Sequence, residues 1–169
     1  MPLYQPMAME LETRRLALLP WTEGDAEDYS ALTAERDTGA LSVTTARERI
    51  AAHRASAERN GIALLTVRRR AEGDFIGYCG LIVGRASVDE PEIAYELFRR
   101  VHGHGYATEA AASVVRAAAA TGRQRLWSTV GGWNAASLRV LDKLGFHRDH
   151  VDPDHDGRGE VIWLTRALP

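Results

Sequence analysis

Apolar residues recur along the chain in two spacings, and the two spacings separate predicted strands from predicted helices. Alternating or continuous apolar positions predict strands at residues 11–20, 62–70, 75–83, 90–98, 125–130, 146–151 and 161–166. Helical spacing predicts helices at residues 22–32, from 44 or 45 to 60, from about 106 to 121 and at 134–144. The order is strand, two helices, three strands, helix, strand, helix, two strands. It predicts an α/β (α+β) fold with a mixed sheet and helices on both faces.

Helix starts and stops support these boundaries. Thr22 with Asp25 three residues later is typical of a capped helix start. The Asn60-Gly61 pair and Gly145 are typical helix ends. In the long Ala-rich helix, the small or apolar positions 110, 113, 114, 117, 118 and 121 form one stripe, which we expect to be buried.

Composition narrows the class of protein. The chain has 169 residues, of which 45% are hydrophobic and 26% charged, so we predict a single domain over residues 1–169. A net charge of −2 argues against a nucleic-acid partner, because such proteins neutralise phosphates. The single cysteine, Cys79, excludes an internal disulfide. We see no signal peptide and no apolar run that could span a bilayer, and we expect a cytoplasmic protein with no membrane partner.

A glycine-rich segment separates a predicted strand from the long helix. Gly103 and Gly105 permit positive φ and a close approach of the backbone to a ligand. The unpaired N–H groups and the dipole of the following helix turn favour an anion such as a pyrophosphate, and Thr108 can add a hydroxyl.

Several readings of this segment compete. A P-loop needs a lysine before the Ser/Thr at the helix start, and no lysine stands there. A dinucleotide fold needs a third glycine where Thr108 stands and an acidic residue at the end of the next strand, and neither is present. Two interpretations remain: a binding site for the pyrophosphate of coenzyme A, and a glycine-rich turn that binds no ligand.

Two separated strings resemble signatures of the GNAT acetyltransferase superfamily. Arg100-x-x-Gly103-x-Gly105 resembles its Arg/Gln-x-x-Gly-x-Gly/Ala signature, and Gly103-His-Gly-Tyr-Ala-Thr-Glu-Ala is similar to the branch of ribosomal-protein N-terminal acetyltransferases. The segment Asn134-Ala-Ala-Ser-Leu-Arg-Val-Leu-Asp-Lys-Leu-Gly-Phe is similar to the second signature of that branch. With Leu11-Glu-Thr-Arg-Arg-Leu and Phe75-Ile-Gly, the resemblance extends over residues 11–166.

The resemblance implies a mostly antiparallel central sheet in which two parallel central strands, at residues 92–98 and 125–130, splay apart in a V. Acetyl-CoA would enter this gap, with its pantetheine arm on the first strand and its pyrophosphate on the amides of residues 103–107. The implied cofactor-binding residues are Leu97, Phe98, Arg99, Arg100, His102, Gly103, His104, Gly105, Tyr106, Ala107, Thr108, Asn134 and Ser137.

Acetyl transfer to an amine needs a base, an oxyanion donor and a proton for the thiolate. Glu92 and Glu96 share one strand face and are the candidate bases. The alternative is that this strand face is solvated and has no catalytic role. A backbone N–H near Leu97 or Phe98 is the candidate oxyanion donor.

The tyrosine that many superfamily members use as the acid would fall at position 141, which is a leucine here. The resemblance instead points to Ser137, or a water that it holds, while Asn134 hydrogen-bonds the pantetheine. Helix capping alone is the alternative for both residues.

The predicted function is direct transfer of an acetyl group to a primary amine, either a protein N-terminal α-amine or a small molecule. A non-catalytic acetyl-CoA-binding sensor is the alternative, and a homodimer is left open. We expect no metal: His102 and His104 flank the phosphate turn, and the acidic loop at 152–159 has the composition of a solvated loop.

Overall fold

The computed structural model describes residues 3–169, and these form one eight-stranded sheet with four α-helices. The strands are β1 (Leu11–Glu12), β2 (Leu16–Leu19), β3 (Leu64–Arg69), β4 (Phe75–Ile82), β5 (Glu92–Leu97), β6 (Arg125–Gly131), β7 (His147–Asp152) and β8 (Val161–Ala167). The helices are α1 (Ala26–Thr33), α2 (Val43–Asn60), α3 (Tyr106–Ala120) and α4 (Ala135–Lys143). Single 3₁₀ turns precede α1 at Glu23–Asp25 and follow β5 at Arg99–Val101.

The strands lie in the order β1-β2-β3-β4-β5-β6-β8-β7, and each neighbouring pair is antiparallel except β5 and β6. The predicted fold class, a mixed and mostly antiparallel sheet with one parallel central pair, is therefore confirmed.

The predicted first strand at residues 11–20 is wrong in one respect. It is a small hairpin, in which β1 pairs with β2 through Leu11 opposite Leu18. The turn between them closes through a hydrogen bond from Thr13 N to Leu16 O of 2.9 Å. Period-two spacing continues through so short a turn, so the sequence pattern does not reveal the reversal.

Helix boundaries follow the capping chemistry. The Thr22 amide donates to the Asp25 carboxylate at 2.9 Å, as the capped start predicts. Helix α2 begins one residue earlier than expected because Ser42 caps it, accepting from Thr45 N at 3.1 Å. It ends at Gly61, which adopts the left-handed conformation with φ 67°.

Two apolar clusters occupy opposite faces of the sheet. One contains residues of α3 and α4 packed on the sheet, and the other contains residues of α1 and α2. The predicted stripe of α3 is buried at every position: Ala110, Ser113, Val114, Ala117, Ala118 and Thr121. Small side chains let this helix lie close to the sheet, and that contact sets the position of its N-terminus.

Strands β5 and β6 pair at one end only. Glu92 opposite Trp127 is their single registered pair, next to a hydrogen bond from Trp127 N to Pro91 O of 3.0 Å. Beyond this point the strands part, so half of β5 has a neighbour on its β4 side alone. None of the helices within residues 3–169 is long and apolar enough to cross a membrane.

Candidate functional site

A cleft of about 600 Å³ opens where β5 and β6 part. Its walls come from the end of β5, the turn before α3, the first turn of α3 and one side of α4. The lining residues are Tyr95, Glu96, Leu97, Val101, His102, Gly103, Gly105, Tyr106, Ala107, Thr108, Asn134, Ala136, Ser137, Arg139, Val140 and Lys143. Nine of the thirteen predicted cofactor-binding residues are among them.

The glycine turn forms the end of the cleft. Gly103 and Gly105 have φ of 82° and 80°, which side-chain-bearing residues rarely adopt. Gly105 is the residue before α3, and its carbonyl accepts the Glu109 amide at 3.0 Å. The amides of Tyr106, Ala107 and Thr108 lie in the first helical turn, where no carbonyl of the helix can pair with them. They are thus available to an anion in the cleft.

The entrance of α3 is braced by the first hairpin. Glu109 accepts hydrogen bonds from the Thr13 hydroxyl at 2.5 Å, the Arg15 amide at 2.9 Å and Arg15 Nε at 2.8 Å. The Arg15 guanidinium lies 4.3 Å above the Tyr106 ring. Burial opposes the charge of Glu109, but these hydrogen bonds outweigh it and lower its pKa. The α3 terminus is therefore held rigidly against the sheet.

The second half of β5 presents backbone groups to the cleft. Phe98 N donates to Ile76 O on β4 at 2.9 Å, so the neighbouring Leu97 amide and carbonyl point the other way, into the gap. His102 Nε2 donates to Leu97 O at 2.9 Å from across the turn. Of the two predicted oxyanion donors, Phe98 N is thus already paired, and the Leu97 amide is the one that faces the gap.

The first turn of α4 forms the opposite wall. Asn134 caps this helix, accepting from Ser137 N at 3.1 Å through its side-chain oxygen. The Ser137 hydroxyl lies 2.9 Å from the Tyr95 hydroxyl of β5. Alternation along β5 puts Tyr95 on the opposite strand face from Glu92 and Glu96, and Tyr95 was not among the predicted site residues. Only the packing of α4 against β5 reveals this contact.

Four predicted cofactor-binding residues lie outside the cleft lining. Phe98 packs edge-on against Phe75, with ring centroids 6.2 Å apart, and His104 is exposed. Arg99 donates through its amide and guanidinium to Glu35, at 2.9 and 2.6 Å. Arg100 donates to Asp74 Oδ2 at 3.0 Å and to Phe75 O at 3.2 Å. In this structure the two arginines brace the turn from outside.

Asp74 ties the turn to the β3–β4 hairpin, and its charge predicts a pH dependence. Paired hydrogen bonds from Arg69 at 2.8 Å, with that from Arg100, lower the pKa of Asp74 below 3.8 despite partial desolvation. A carboxyl with a lowered folded-state pKa stabilises the fold at neutral pH, and the contribution is lost as the pH falls through that lowered value. We expect Asp74→Asn to reduce the free energy of unfolding at about pH 6, and to reduce it by less at about pH 2.5, which lies below the ordinary pKa of 3.8. Urea unfolding at both values measures this, and an equal loss at both would contradict it.

The two candidate bases have different surroundings. Glu92 is buried, and its carboxylate accepts from the Thr129 hydroxyl at 2.5 Å and from the Arg85 amide. Glu96 is among the residues that line the cleft, and its carboxylate lies on the face of the sheet that α1 and α2 cover. It pairs with Arg36 at 2.6 Å and accepts from the Tyr78 hydroxyl at 3.1 Å. Glu92, by contrast, is not among the lining residues.

Cys79 is not among the residues that line the cleft. Cys79 is fully buried, and burial raises the pKa of its thiol, which keeps it protonated. Within residues 3–169, no group of three or more His, Cys, Asp or Glu side chains is arranged to hold a metal ion.

The sequence reasoning missed the basic side of α4. Arg139 and Lys143 line the cleft and are exposed, and neither belongs to an ion pair formed within residues 3–169. With Ala136 and Val140 they lie three or four positions apart, so they share one helix face. This helical spacing, counted from Asn134, would have been enough to predict that the two basic residues lie on the cleft side of α4.

Comparison with known proteins agrees with this geometry. The family model of the acetyltransferase (GNAT) domain matches residues 15–147. The uncharacterised protein YkkB of Bacillus subtilis (strain 168) is 34% identical over 93 residues, which are 52% of this chain and 52% of YkkB. The match therefore spans about half the length of this curated relative.

Solved structures share the fold. An acetyltransferase of Agrobacterium tumefaciens superimposes with a TM-score of 0.79 at 24% identity, covering 98% of each chain. RimL, a ribosomal L7/L12 alpha-N-protein acetyltransferase in complex with coenzyme A, superimposes with a TM-score of 0.80 at 14% identity, covering 92% of this chain and 96% of RimL. At these identities the likeness shows the fold, while the family match extends over most of the chain. The chain belongs to the GNAT acetyltransferase family.

Proposed function

We propose that this enzyme transfers an acetyl group from acetyl-CoA to a primary amine, directly and within a ternary complex. The observation that carries the proposal is the cleft between the parted strands β5 and β6, which ends at the glycine turn and the free amides of α3. A linear thioester arm that is attached to a diphosphate matches both the shape and the polarity of this cleft.

The residues of the cleft fit the cofactor. The amides of residues 106–108 and the α3 dipole would hold the pyrophosphate, since Gly103 and Gly105 leave no side chain between backbone and ligand. The pantetheine arm would follow β5, where the backbone of Leu97 faces the gap. Asn134 would contact the arm from the opposite wall while capping α4.

Arg139 and Lys143 would meet the phosphate charges of coenzyme A. We expect the double variant Arg139→Ala/Lys143→Ala to raise KM for acetyl-CoA about tenfold at low salt, because two exposed charge contacts of up to about 1 kcal/mol each are lost. The difference should shrink at high salt, since exposed charges are screened. Steady-state kinetics at two ionic strengths measure this, with Arg116→Ala on the exposed side of α3 as the control. An unchanged KM would exclude the two residues from cofactor binding.

Acetyl transfer forms a C–N bond and breaks the C–S bond of the thioester. The acceptor must first lose a proton, and we assign the role of base to Glu96, directly or through water, because Glu96 rather than Glu92 lines the cleft. The Leu97 amide would stabilise the oxyanion that develops at the carbonyl.

Ser137 would act on the departing thiolate, by giving its proton or through a water that it holds. Its hydroxyl lines the cleft, whereas Leu141, at the position of the superfamily tyrosine, is fully buried. Asn134 supports this role indirectly, because its cap on the Ser137 amide fixes the first turn of α4.

The proposed acceptors are a protein N-terminal α-amine or a small primary amine. The similarity of residues 103–110 and 134–146 to the ribosomal-protein branch favours the first, as does the shared fold of RimL.

Release of free thiol from acetyl-CoA tests the proposal. The purified enzyme is assayed against N-terminal peptides, polyamines, amino acids and aminoglycosides, with N-acetylated versions of the best acceptor as the control. Thiol release that depends on a free amine, together with the acetylated product by mass spectrometry, is the expected result. Thermal stabilisation by coenzyme A without turnover on any amine would instead favour a sensor. Stabilisation by ATP or NAD and not by coenzyme A would overturn the cofactor assignment.

A further inference from the structure

The cleft contains a second hydroxyl beside Ser137. Tyr95 projects from β5 into the same cleft, and its hydroxyl lies 2.9 Å from Ser137 Oγ and 3.3 Å from the Ser137 carbonyl oxygen. The position of the superfamily tyrosine, Leu141, is on α4 and fully buried. The phenol of this site therefore comes from the strand rather than from the helix, and it contacts the serine.

Each hydroxyl has one hydrogen to donate, and this limits the arrangements of the pair. In one arrangement Tyr95 donates to the Ser137 carbonyl and Ser137 donates to Tyr95, so the serine hydrogen is occupied. In the other, Tyr95 donates to Ser137 Oγ, and the serine hydrogen is free to point into the cleft. A negative charge in the cleft favours the second arrangement, because hydrogen bonds to an ionised acceptor are the stronger ones.

We propose that Tyr95 is a positioning residue, whose hydroxyl donates to Ser137 Oγ and so directs the serine hydrogen towards the departing thiolate. The inference rests on the proposed function, in which Ser137 acts on that thiolate. It holds whether Ser137 gives its own proton or works through a water, because both routes need its hydrogen to point into the cleft.

The raised pKa of Tyr95 keeps its hydroxyl available as a hydrogen-bond donor. Burial is the main reason that its pKa rises to about 12, although the Ser137 contact lowers it in part. A phenol with so high a pKa stays protonated at neutral pH. Tyr95 therefore remains a donor over the whole pH range in which the enzyme can be assayed.

Tyr95→Phe tests the proposal, because it removes the hydroxyl and keeps the ring. We expect kcat to fall roughly three- to tenfold, the size of one hydrogen bond, with KM for acetyl-CoA within about twofold. In the Ser137→Ala background the same change should have no further effect on kcat, since Tyr95 acts through the serine. Tyr29→Phe, which removes a hydroxyl on the opposite face next to His53, is the matched control.

The outcomes separate this inference from the proposed function. A slow Ser137→Ala enzyme beside an unchanged Tyr95→Phe enzyme would refute the positioning role and leave the role of Ser137 intact. A raised KM with unchanged kcat, or independent losses in the double variant, would show Tyr95 to be a wall of the cleft only. Thermal stabilisation of each variant by coenzyme A confirms that it folds. If the Tyr95→Phe variant does not fold, Ser137→Thr takes its place, because it keeps a hydroxyl at position 137 with Tyr95 present. It must recover most of the kcat that is lost in Ser137→Ala, and no recovery would refute the proposal.

Discussion

Ser137→Ala is expected to lower kcat about 100-fold, with KM for acetyl-CoA changed by no more than about threefold. Proton transfer by a positioned side chain contributes at least this factor in enzymes. The cofactor contacts should remain, because the Asn134 cap uses the backbone amide of residue 137, which alanine keeps. Initial rates of thiol release at saturating acceptor measure both parameters.

The matched control for this change is Ser87→Ala. Ser87 is an exposed loop serine that accepts the Glu90 amide at 3.1 Å, and it does not line the cleft. It should leave both kinetic parameters as in the wild type. If Ser137→Ala also turns over at the wild-type rate, the thiolate needs no help from this residue, and protonation directly from solvent becomes the better explanation.

Gly105→Val is expected to weaken coenzyme A binding about 100-fold, the largest effect on the cofactor. Gly105 has φ of 80°, where a β-branched side chain is strongly disfavoured, so the turn must rearrange. The backbone amides that follow Gly105 then no longer point towards the diphosphate. One or two charge-assisted hydrogen bonds of about 1.5–3 kcal/mol each are lost as a result. Isothermal titration calorimetry with coenzyme A measures the change in affinity.

Gly122→Val separates binding from strain. Gly122 follows the other end of α3 and has φ of 88°, and a Cβ atom there would meet no atom within 4 Å. Both valine variants should therefore lose about 1–2 kcal/mol of unfolding free energy, the cost of a side chain in the left-handed region. Only Gly105→Val should lose affinity for coenzyme A. An equal loss of affinity in the two would mean that global stability, and not the turn, controls binding.

Glu92 and Glu96 show how much the alternation of side chains along a strand can predict about a site. Their positions put both carboxylates on one face of β5, and the structure agrees that both lie away from Tyr95. The sequence could not show that the backbone near Arg85 and the hydroxyl of Thr129 enclose Glu92, because these partners come from a loop and from β6. The two glutamates are only four positions apart, yet one is buried and the other lines the cleft.

Local chemistry determined most of the architecture. Capping residues, glycines and the period of the apolar pattern were enough to predict the helices, nearly all strands and the phosphate-type turn, because each depends on neighbours within a few positions of the chain. The same signals determined that Gly103 and Gly105 precede a helix whose buried stripe begins at Ala110.

The tertiary structure alone decided which side chains share the cleft. The contact of Tyr95 with Ser137 joins residues 42 positions apart, and the pairing of Glu96 with Arg36 joins residues 60 apart. Arg99 and Arg100, which the motif assigned to the cofactor, contact Glu35 and Asp74 and do not line the cleft. Such contacts depend on how α1 and α4 pack against the sheet. Packing is set by the sum of many distant apolar contacts, and no local pattern in the chain records it.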